Sequence, residues 1–404
     1  GRFWQDWMLR MIQRLLGGRL PLFFSVILGA KAWSCNDAGA TTVLAQVKLG
    51  EVDPLAVCND GSEASYYLEA KTSSRDWLVY LAGGGWCHDL ESCAAREAGT
   101  AFPHQSCNTS TLSSPCFMSN KDFPETCGKT GVFDHSGSPT QPASKVYVPY
   151  CTSDAYMGDG AFGPWQFRGA RVVRAVLKDL RNRGLRPGSR LIFGGGSAGS
   201  RGAMVLLDEV TRMLPGIQVH GFLDSPYWID IPSFAANFSG FQHQTRDVLT
   251  NFNAWSVVSQ PCHAQFGSEE AWKCLFGQYR MAFVRTPYLL IASQFDSWQL
   301  SHLVHGYSGI QDHPTFTPTE IAYTEKFAAQ TRSGLDELAK AMPNGSFSYS
   351  AACYNHHISE KGIFFTSSTS SGFTESEALE ALWRGHGDAI DRCDGFNCSI
   401  GCGP

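Results

Sequence analysis

Short apolar runs alternate along the chain with longer segments whose apolar positions recur at helical spacing. The runs have the length of buried strands and are rich in β-branched and aromatic residues. The predicted strands are 77–81, 145–149, 191–193, 218–223 and 287–292. The helical pattern is found at 171–181, 203–207, 336–342 and 375–383. This alternation predicts an α/β fold, in which helices cover both faces of a mainly parallel central sheet.

The regular pattern is lost between Gly99 and Ser144, where Ser, Thr, Pro, Gly and Cys predominate. We expect this segment to be a disulfide-linked excursion that forms one wall of a cleft. The chain has neither an internal repeat nor a long linker. Residues 33–404 are therefore predicted to form a single domain.

The N-terminal segment has the pattern of a secretory leader. Three arginines precede a short apolar run at 20–30, and Ala30-Lys31-Ala32 resembles a cleavage site. Residues 1–32 are predicted to be a signal peptide, so that the secreted chain begins near Trp33. The alternative is an uncleaved signal anchor, although the run is shorter than the ~20 apolar residues that span a bilayer.

The pentapeptide G-G-S-A-G at 195–199 lies between a predicted strand and a predicted helix. This is the pattern G-x-S-x-G in the setting that a nucleophile elbow requires. Glycines permit the sharp turn that projects the Ser197 hydroxyl, and the following helix N-terminus presents free N–H groups to a developing oxyanion. The alternative interpretation is a glycine-rich turn with an ordinary serine.

Other segments supply the remaining parts of a serine hydrolase in the expected chain order. A glycine loop at 82–87 follows an early predicted strand, where α/β-hydrolases place part of their oxyanion hole. Asp296 follows another strand, and His356 comes late in the chain. The order Ser197, Asp296, His356 is that of α/β-hydrolases. Asp224 is the alternative acid, and His357 the alternative base.

These segments also resemble the pectin acetylesterase and Notum family of serine carboxylesterases. Residues 81–87 (L-A-G-G-G-W-C) are similar to the family's L-E-G-G-G-W-C, and 150–154 (Y-C-T-S-D) to its Y-C-[ST]-S-D. The segments 196–199, 295–299 and 353–356 resemble its nucleophile, acid and C-x-x-H histidine segments. The resemblance covers roughly Glu51 to Cys398. The chain departs from the pattern at Ala82, where the family has glutamate, and at 224–226, where D-S-P replaces D-[AS]-G.

The resemblance implies an α/β-hydrolase-like fold and a role for each matching residue. The implied catalytic triad is Ser197, Asp296 and His356, and the spacing from Cys353 favours His356 over His357. The implied oxyanion N–H groups belong to Gly84, Gly85 and Ala198. Trp86, Trp298 and Asp154 are candidates for substrate binding. The alternatives are that both tryptophans are packing residues and that Asp154 orders the loop facing the elbow.

Composition places this protein outside the cytosol. Its 14 cysteines are not spaced as metal ligands, so disulfides are expected and a zinc site is not. Four N-x-[ST] sequons, at Asn108, Asn237, Asn344 and Asn397, fit a secreted glycoprotein. The formal charge of -5 argues against nucleic acid as a partner.

The sequence therefore predicts a secreted, monomeric carboxylic-ester hydrolase that needs no metal or organic cofactor. The expected substrate is an acetylated cell-wall or extracellular polysaccharide. One alternative is a Notum-like carboxylesterase that removes a fatty acyl group from a lipidated protein, and another is a non-catalytic binding protein with the same fold. No stable membrane insertion is expected after leader cleavage.

Overall fold

The computed structural model describes Cys35 and residues 37–100, 118–382 and 387–402. These residues all belong to one compact unit of the chain, 33–404. The predicted leader and its cleavage site, the sequon at Asn108, and Cys107 and Cys116 lie outside the described residues. Within the described ranges, no helix is long and apolar enough to cross a bilayer.

The central sheet has ten strands, and a separate two-stranded hairpin lies beside it. In chain order the strands are β1 (Thr42–Lys48), β2 (Ser65–Glu69), β3 (Asp76–Leu81), β4 (Thr126–Lys129), β5 (Ser144–Val148), β6 (Gly160–Phe162), β7 (Trp165–Phe167), β8 (Arg190–Gly196), β9 (Gln218–Asp224), β10 (Tyr288–Ile291), β11 (Phe347–Ser350) and β12 (Gly387–Ile390). The spatial order of the large sheet is β4-β1-β2-β5-β3-β8-β9-β10-β11-β12, and β6 pairs with β7.

All strands from β5 to β12 in that spatial order run parallel, and β2, β1 and β4 continue the sheet antiparallel at one edge. The central parallel strands are buried along almost their whole length, as in β8 and β9. This burial explains why they read in the sequence as continuous apolar runs rather than as alternating patterns.

The described α-helices are α1 (Leu90–Glu97), α2 (Gly169–Asn182), α3 (Ala198–Met213), α4 (Phe241–Asn251), α5 (Gln260–Phe266), α6 (Gly277–Arg280), α7 (Ser297–His305), α8 (Pro318–Ala339) and α9 (Glu375–Ala381). Helix α3 packs against β3, β8 and β9 at the middle of the sheet. Capping sets several boundaries: Thr317 and Glu320 form a capping box at the start of α8, and Pro318 occupies its first turn.

The structure confirms the predicted α/β-hydrolase-like fold, its mainly parallel sheet and its disulfide-rich loops. Each predicted strand and helix overlaps an observed one, although α3 and α8 are much longer than their predicted segments. One expectation needs correction. Part of the segment between Gly99 and Ser144 is strand β4, which extends the central sheet through its pairing with β1.

The twelve described cysteines form six disulfides. The bonded pairs are Cys35–Cys127, Cys58–Cys151, Cys87–Cys93, Cys262–Cys274, Cys353–Cys402 and Cys393–Cys398. Two of these disulfides lie next to predicted site residues. Cys87–Cys93 closes a short loop that begins at the end of the glycine loop, and Cys353–Cys402 links the segment before His356 to the C-terminal region.

Candidate active site

Ser197 lies in a sharp turn between β8 and α3. Its backbone has φ 52° and ψ −121°, a positive φ that non-glycine residues seldom adopt and that occurs preferentially at functional sites. The flanking glycines make this turn possible, because a Cβ at Gly195 or Gly199 would collide with the carbonyl oxygen of Leu81 on β3. The pentapeptide therefore has the geometry of a nucleophile elbow.

A continuous chain of hydrogen bonds joins the serine, the histidine and the aspartate. The His356 Nδ1 lies 2.8 Å from Asp296 Oδ2, and its Nε2 lies 2.7 Å from Ser197 Oγ. An ionised carboxylate only accepts hydrogen bonds, so Nδ1 carries the proton and Nε2 accepts from the serine hydroxyl. All three side chains are more than nine-tenths buried, which strengthens these interactions.

Helix capping holds the acid in its orientation, and the Cys353–Cys402 disulfide holds the segment that carries the base. Asp296 is the N-cap of α7, and its Oδ1 accepts from the backbone N–H of Gln299 at 2.8 Å. The second oxygen is thereby directed to His356. The backbone N–H of Ser297 donates to the carbonyl of Asn355 at 3.1 Å, which joins the acid's segment to the segment of His356.

The structure also distinguishes the alternative acid and base. Asp224 is fully buried and accepts hydrogen bonds from Ser359 and Ser225, while its backbone carbonyl accepts from the N–H of Ser197. Burial raises the pKa of Asp224 and lowers that of His357 far below its usual range. In the part of the chain that the structure describes, the Nδ1 of His357 has no hydrogen-bond partner, and its backbone N–H donates to the hydroxyl of Ser225. Asp224 and His357 therefore lie beside the triad without taking the position of its acid or its base.

The three proposed oxyanion donors are brought to the same end of the sheet. Ala198 begins α3, and the loop with Gly84 (φ 141°) and Gly85 (φ 64°) follows β3, the neighbour of β8. Within the described ranges, no protein acceptor binds the backbone N–H of any of the three. The loop lies close to the nucleophile, since a Cβ at Gly83 would stand 3.0 Å from the Cβ of Ser197.

Arg96 supports the glycine loop, and sequence reasoning did not find it. Its fully buried guanidinium donates to the carbonyl of Gly84 at 2.7 Å and to the hydroxyl of Ser153 at 2.8 Å. Because the carbonyl of Gly84 and the N–H of Gly85 share one peptide plane, this bond orients the N–H of Gly85 away from Arg96. The only sequence signal is the position of Arg96 in α1, soon after the glycine loop.

A second arginine near the elbow, Arg201 on α3, was also not predicted from the sequence. Arg201 lies one helical turn after Ser197, and its guanidinium carbon lies 3.9 Å from the ring centroid of Trp86 and 3.7 Å from that of Trp228, two indole rings that are perpendicular to each other. Burial lowers the pKa of Arg201 to about 9. Cation–π contacts of this kind are strong where water is excluded. Trp86, the last aromatic residue before the disulfide of the loop, is thereby attached to the helix that carries the nucleophile.

The proposed substrate-binding residues have different positions. Trp298 packs against the rings of His356 and His302, with centroids 6.0 and 4.6 Å away. Trp86 and Trp298 retain only 8% and 6% of their surface exposed. Asp154 has no exposed surface and accepts hydrogen bonds from Thr152 and from three backbone N–H groups. Its assignment to substrate binding is wrong, because its carboxylate is enclosed in the loop that it orders.

A pocket of about 700 Å³ opens beside the histidine. It is lined by His356 and by a mixture of apolar and polar residues, among them Ile358, Phe396, Asp312, Asn355 and Lys361. Its charged and amide groups can hydrogen-bond a hydroxylated ligand.

Neutral buried histidines make the stability of this region dependent on pH. Burial lowers the pKa of His302 to about 4, so the unfolded chain binds a proton at higher pH than the folded protein. Stability is therefore full above pH ~6.5 and is lost as the pH falls toward 4. We expect His302 to account for about 2 kcal/mol of the loss in unfolding free energy between pH 7 and pH 5.

Denaturant unfolding of wild-type protein and of His302→Gln at both pH values measures this loss. The side-chain amide of the introduced glutamine can donate a hydrogen bond to the carbonyl of Trp298, which lies 2.8 Å from His302 Nδ1 in the wild type. The difference between the two pH values is expected to shrink in His302→Gln but not in His243→Gln, whose side chain is 58% exposed. An equal pH dependence in all three proteins would contradict the prediction.

The fold and the geometry of Ser197, His356 and Asp296 are those of an α/β-hydrolase with a serine nucleophile. The sequence profile of the Pectinacetylesterase family matches residues 42–402. The chain therefore belongs to the pectinacetylesterase family.

Similar proteins of this family have been named and their structures solved. The human palmitoleoyl-protein carboxylesterase NOTUM is 31% identical over 74% of this chain and 59% of its own length. Pectin acetylesterase 11 of Arabidopsis thaliana is 28% identical over 74% of this chain and 76% of its own. The crystal structure of the Wnt deacylase Notum from Drosophila superposes with a TM-score of 0.75 at 24% identity, covering 90% of this chain and all of that one. The chain thus spans less than two thirds of the human relative.

Proposed function

We propose that this protein is a secreted serine carboxylic-ester hydrolase that removes acetyl groups from an extracellular or cell-wall polysaccharide. The observation that carries the proposal is the hydrogen-bonded series Asp296–His356–Ser197 at the tip of the elbow. The six described disulfides support secretion, because such bonds persist in oxidising compartments. We propose a monomer that acts without metal or cofactor and is not inserted in the membrane once the leader is removed.

The reaction proceeds in two acyl-transfer steps. Ser197 Oγ attacks the ester carbonyl carbon while His356 Nε2 takes the hydroxyl proton, and Asp296 stabilises the imidazolium. The N–H groups of Gly84, Gly85 and Ala198 bind the oxyanion, a contribution worth about 3 kcal/mol for each donor. His356 then gives its proton to the departing alcohol oxygen. A water molecule, deprotonated by the same histidine, attacks the acyl-enzyme and releases the acid.

The surroundings of the triad support a short acyl group on a polar alcohol. Trp86 and Trp298 are packed against Arg201, His302 and His356 and keep only 8% and 6% of their surface exposed, which favours a short acyl group over a long one. The pocket that His356 helps to line carries charged and amide groups, which suit a hydroxylated ligand such as a sugar.

A panel of substrates tests the proposal. We expect kcat/KM for p-nitrophenyl esters to be highest for acetate and to fall by about tenfold or more from acetate to octanoate. Acetate release from acetylated pectin or xylan is expected in the same preparation. The negative control is Ser197→Ala, which measures any ester hydrolysis that does not depend on the Ser197 hydroxyl.

A matched pair of variants tests the role of the aromatic residues. Trp298→Ala is expected to raise the ratio of octanoate to acetate turnover, whereas Trp298→Phe retains the wild-type ratio. The proposal fails if rates rise with chain length and a palmitoleoylated serine peptide is deacylated while acetylated polysaccharide is not. That outcome would assign the protein to the lipid-directed activity named for its animal relatives.

A further inference from the structure

A cluster of imidazole and carboxylate groups lies directly after the glycine loop. The Nδ1 of His88 and one carboxylate oxygen each of Asp89 and Asp247 lie within 4.8 Å of one another, and all three residues are partly buried. His88 and Asp89 precede helix α1, and Asp247 belongs to α4. A second imidazole, His243, lies one turn before Asp247 on the same face of α4. The reaction proposed above uses none of these residues.

The distances within the cluster match the coordination shell of a small cation. With ligand bonds of about 2.0–2.2 Å, a tetrahedral zinc site places neighbouring ligand atoms roughly 3.3 Å apart. His88 Nδ1 lies 3.0 Å from Asp247 Oδ2 and 3.7 Å from Asp89 Oδ2. His243 Nε2 lies 3.6 Å from Asp247 Oδ2, and its side chain is 58% exposed, so it is free to complete the shell.

The backbone that carries these ligands is already held in place. The Cys87–Cys93 disulfide closes the segment that contains His88 and Asp89. The side-chain amide of Asn251 on α4 donates to the carbonyl of His88 at 2.9 Å. Asp89 caps α1 through its Oδ1, at 2.7 Å from the N–H of Ser92, so that its Oδ2 faces His88. A site with fixed ligands loses little entropy when it binds an ion.

From this arrangement we propose that His88, Asp89 and Asp247, with His243 as fourth ligand, form a Zn²⁺-binding site. The combination of imidazole and carboxylate donors suits zinc, whereas Ca²⁺ and Mg²⁺ prefer oxygen ligands alone. In the metal-free protein His88 Nδ1 and Asp247 share a hydrogen bond, and zinc takes the place of its proton. Two short patterns in the sequence mark this site. One is His-Asp at 88–89, and the other is His-x-x-x-Asp at 243–247, whose histidine and aspartate are one helical turn apart.

The ion would link the glycine loop to α4. Trp86, two residues before His88, already donates its indole N–H to Gln244 of α4 at 2.9 Å. Zinc adds a second connection between the same two segments, close to the N–H groups of Gly84 and Gly85. Bound zinc is therefore expected to stabilise the folded protein, independently of whether the ester hydrolysis proposed above is correct.

Calorimetric titration of the metal-free, disulfide-intact secreted protein with ZnCl₂ tests the site. We expect one equivalent to bind, and Tm to rise by about 3 °C at zinc concentrations near 100 times Kd. Asp247→Asn and His88→Asn are each expected to weaken binding by at least ~10-fold, since changes even outside the coordination shell cost 10–100-fold. CaCl₂ and MgCl₂ are expected to bind far more weakly than ZnCl₂.

The matched control is His135→Gln. His135 Nε2 lies 2.8 Å from Glu69 Oε1, and among the described residues this pair is not part of a three-ligand cluster, so zinc affinity is expected to be unchanged. If His88→Asn does not fold, Asp247→Asn and the exposed His243→Gln keep the test decisive. The proposal is overturned if wild-type protein takes up no zinc, if Ca²⁺ binds as tightly, or if affinity is the same in wild type, Asp247→Asn and His243→Gln.

Discussion

Ser197→Ala is expected to lower kcat for p-nitrophenyl acetate by about 10⁶-fold, the loss typical of a serine hydrolase without its nucleophile. The hydroxyl is the only group at the elbow that lies within hydrogen-bonding distance of His356 Nε2 among the described residues, so no neighbour replaces it. Alanine has the same Cβ as serine and tolerates φ 52° equally well, so the fold is retained. Rates of the purified variant, with its melting temperature, measure the effect.

Ser200→Ala is the matched control. Ser200 lies on the same helix and is fully buried, and its hydroxyl has no hydrogen-bond partner among the described residues, so its removal changes neither the triad nor the charge. We expect its turnover to remain near that of the wild type. Hydrolysis by Ser197→Ala at the wild-type rate would refute the proposed mechanism, because Ser197 could then not be the nucleophile.

Asp296→Asn is expected to lower kcat by about 10⁴-fold with little effect on stability. The reason lies in the two oxygens of Asp296. Its Oδ1 accepts from the N–H of Gln299, and an asparagine N-cap keeps its amide oxygen there. The NH₂ group then faces His356 Nδ1, which must accept, so the proton moves to Nε2. A histidine in that tautomer cannot take the proton of Ser197.

The comparison variant is Asp224→Asn. Asp224 is equally buried and also follows a parallel strand, but its carboxylate binds Ser359 and Ser225 rather than His356. We expect this change to reduce unfolding free energy more than turnover. Turnover of an aryl acetate by Asp224→Asn and by Asp296→Asn, measured at equal concentrations of folded protein, distinguishes the roles of the two aspartates. If Asp224→Asn loses turnover while Asp296→Asn retains it, Asp296 is not the acid of the triad.

The strands found from sequence share one physical property. β3, β5, β8, β9 and β10 are buried and parallel, so apolar residues form a continuous run that needs no knowledge of neighbours. β1 was not predicted because it is partly exposed and lacks a continuous apolar run, and β4 because its four residues, T-C-G-K, carry little apolar signal. Strand β4 exists only because β1 lies beside it, and the Cys35–Cys127 disulfide joins the segments that contain them.

Residues of the active site were predictable where the chain itself creates the geometry. The G-x-S-x-G pattern and the chain order of serine, aspartate and histidine can both be read from the sequence. The reason for the glycines at 195 and 199 lies in β3, where the carbonyl of Leu81 leaves no room for a Cβ. The supporting residues were not predictable in this way. Arg96 reaches Gly84, and Arg201 reaches Trp228, only because separate segments are packed together.

By itself, therefore, the sequence determined the α/β class, the nucleophile turn and the disulfide bonding that the cysteines predict, since each depends on local patterns or composition. Tertiary structure decided which of two adjacent histidines meets the serine and which of two strand-end aspartates meets that histidine. It also enclosed Asp154 among backbone N–H groups instead of presenting it to substrate. These choices depend on side-chain directions across parallel strands β8 to β11, and such directions arise only when distant segments pack side by side.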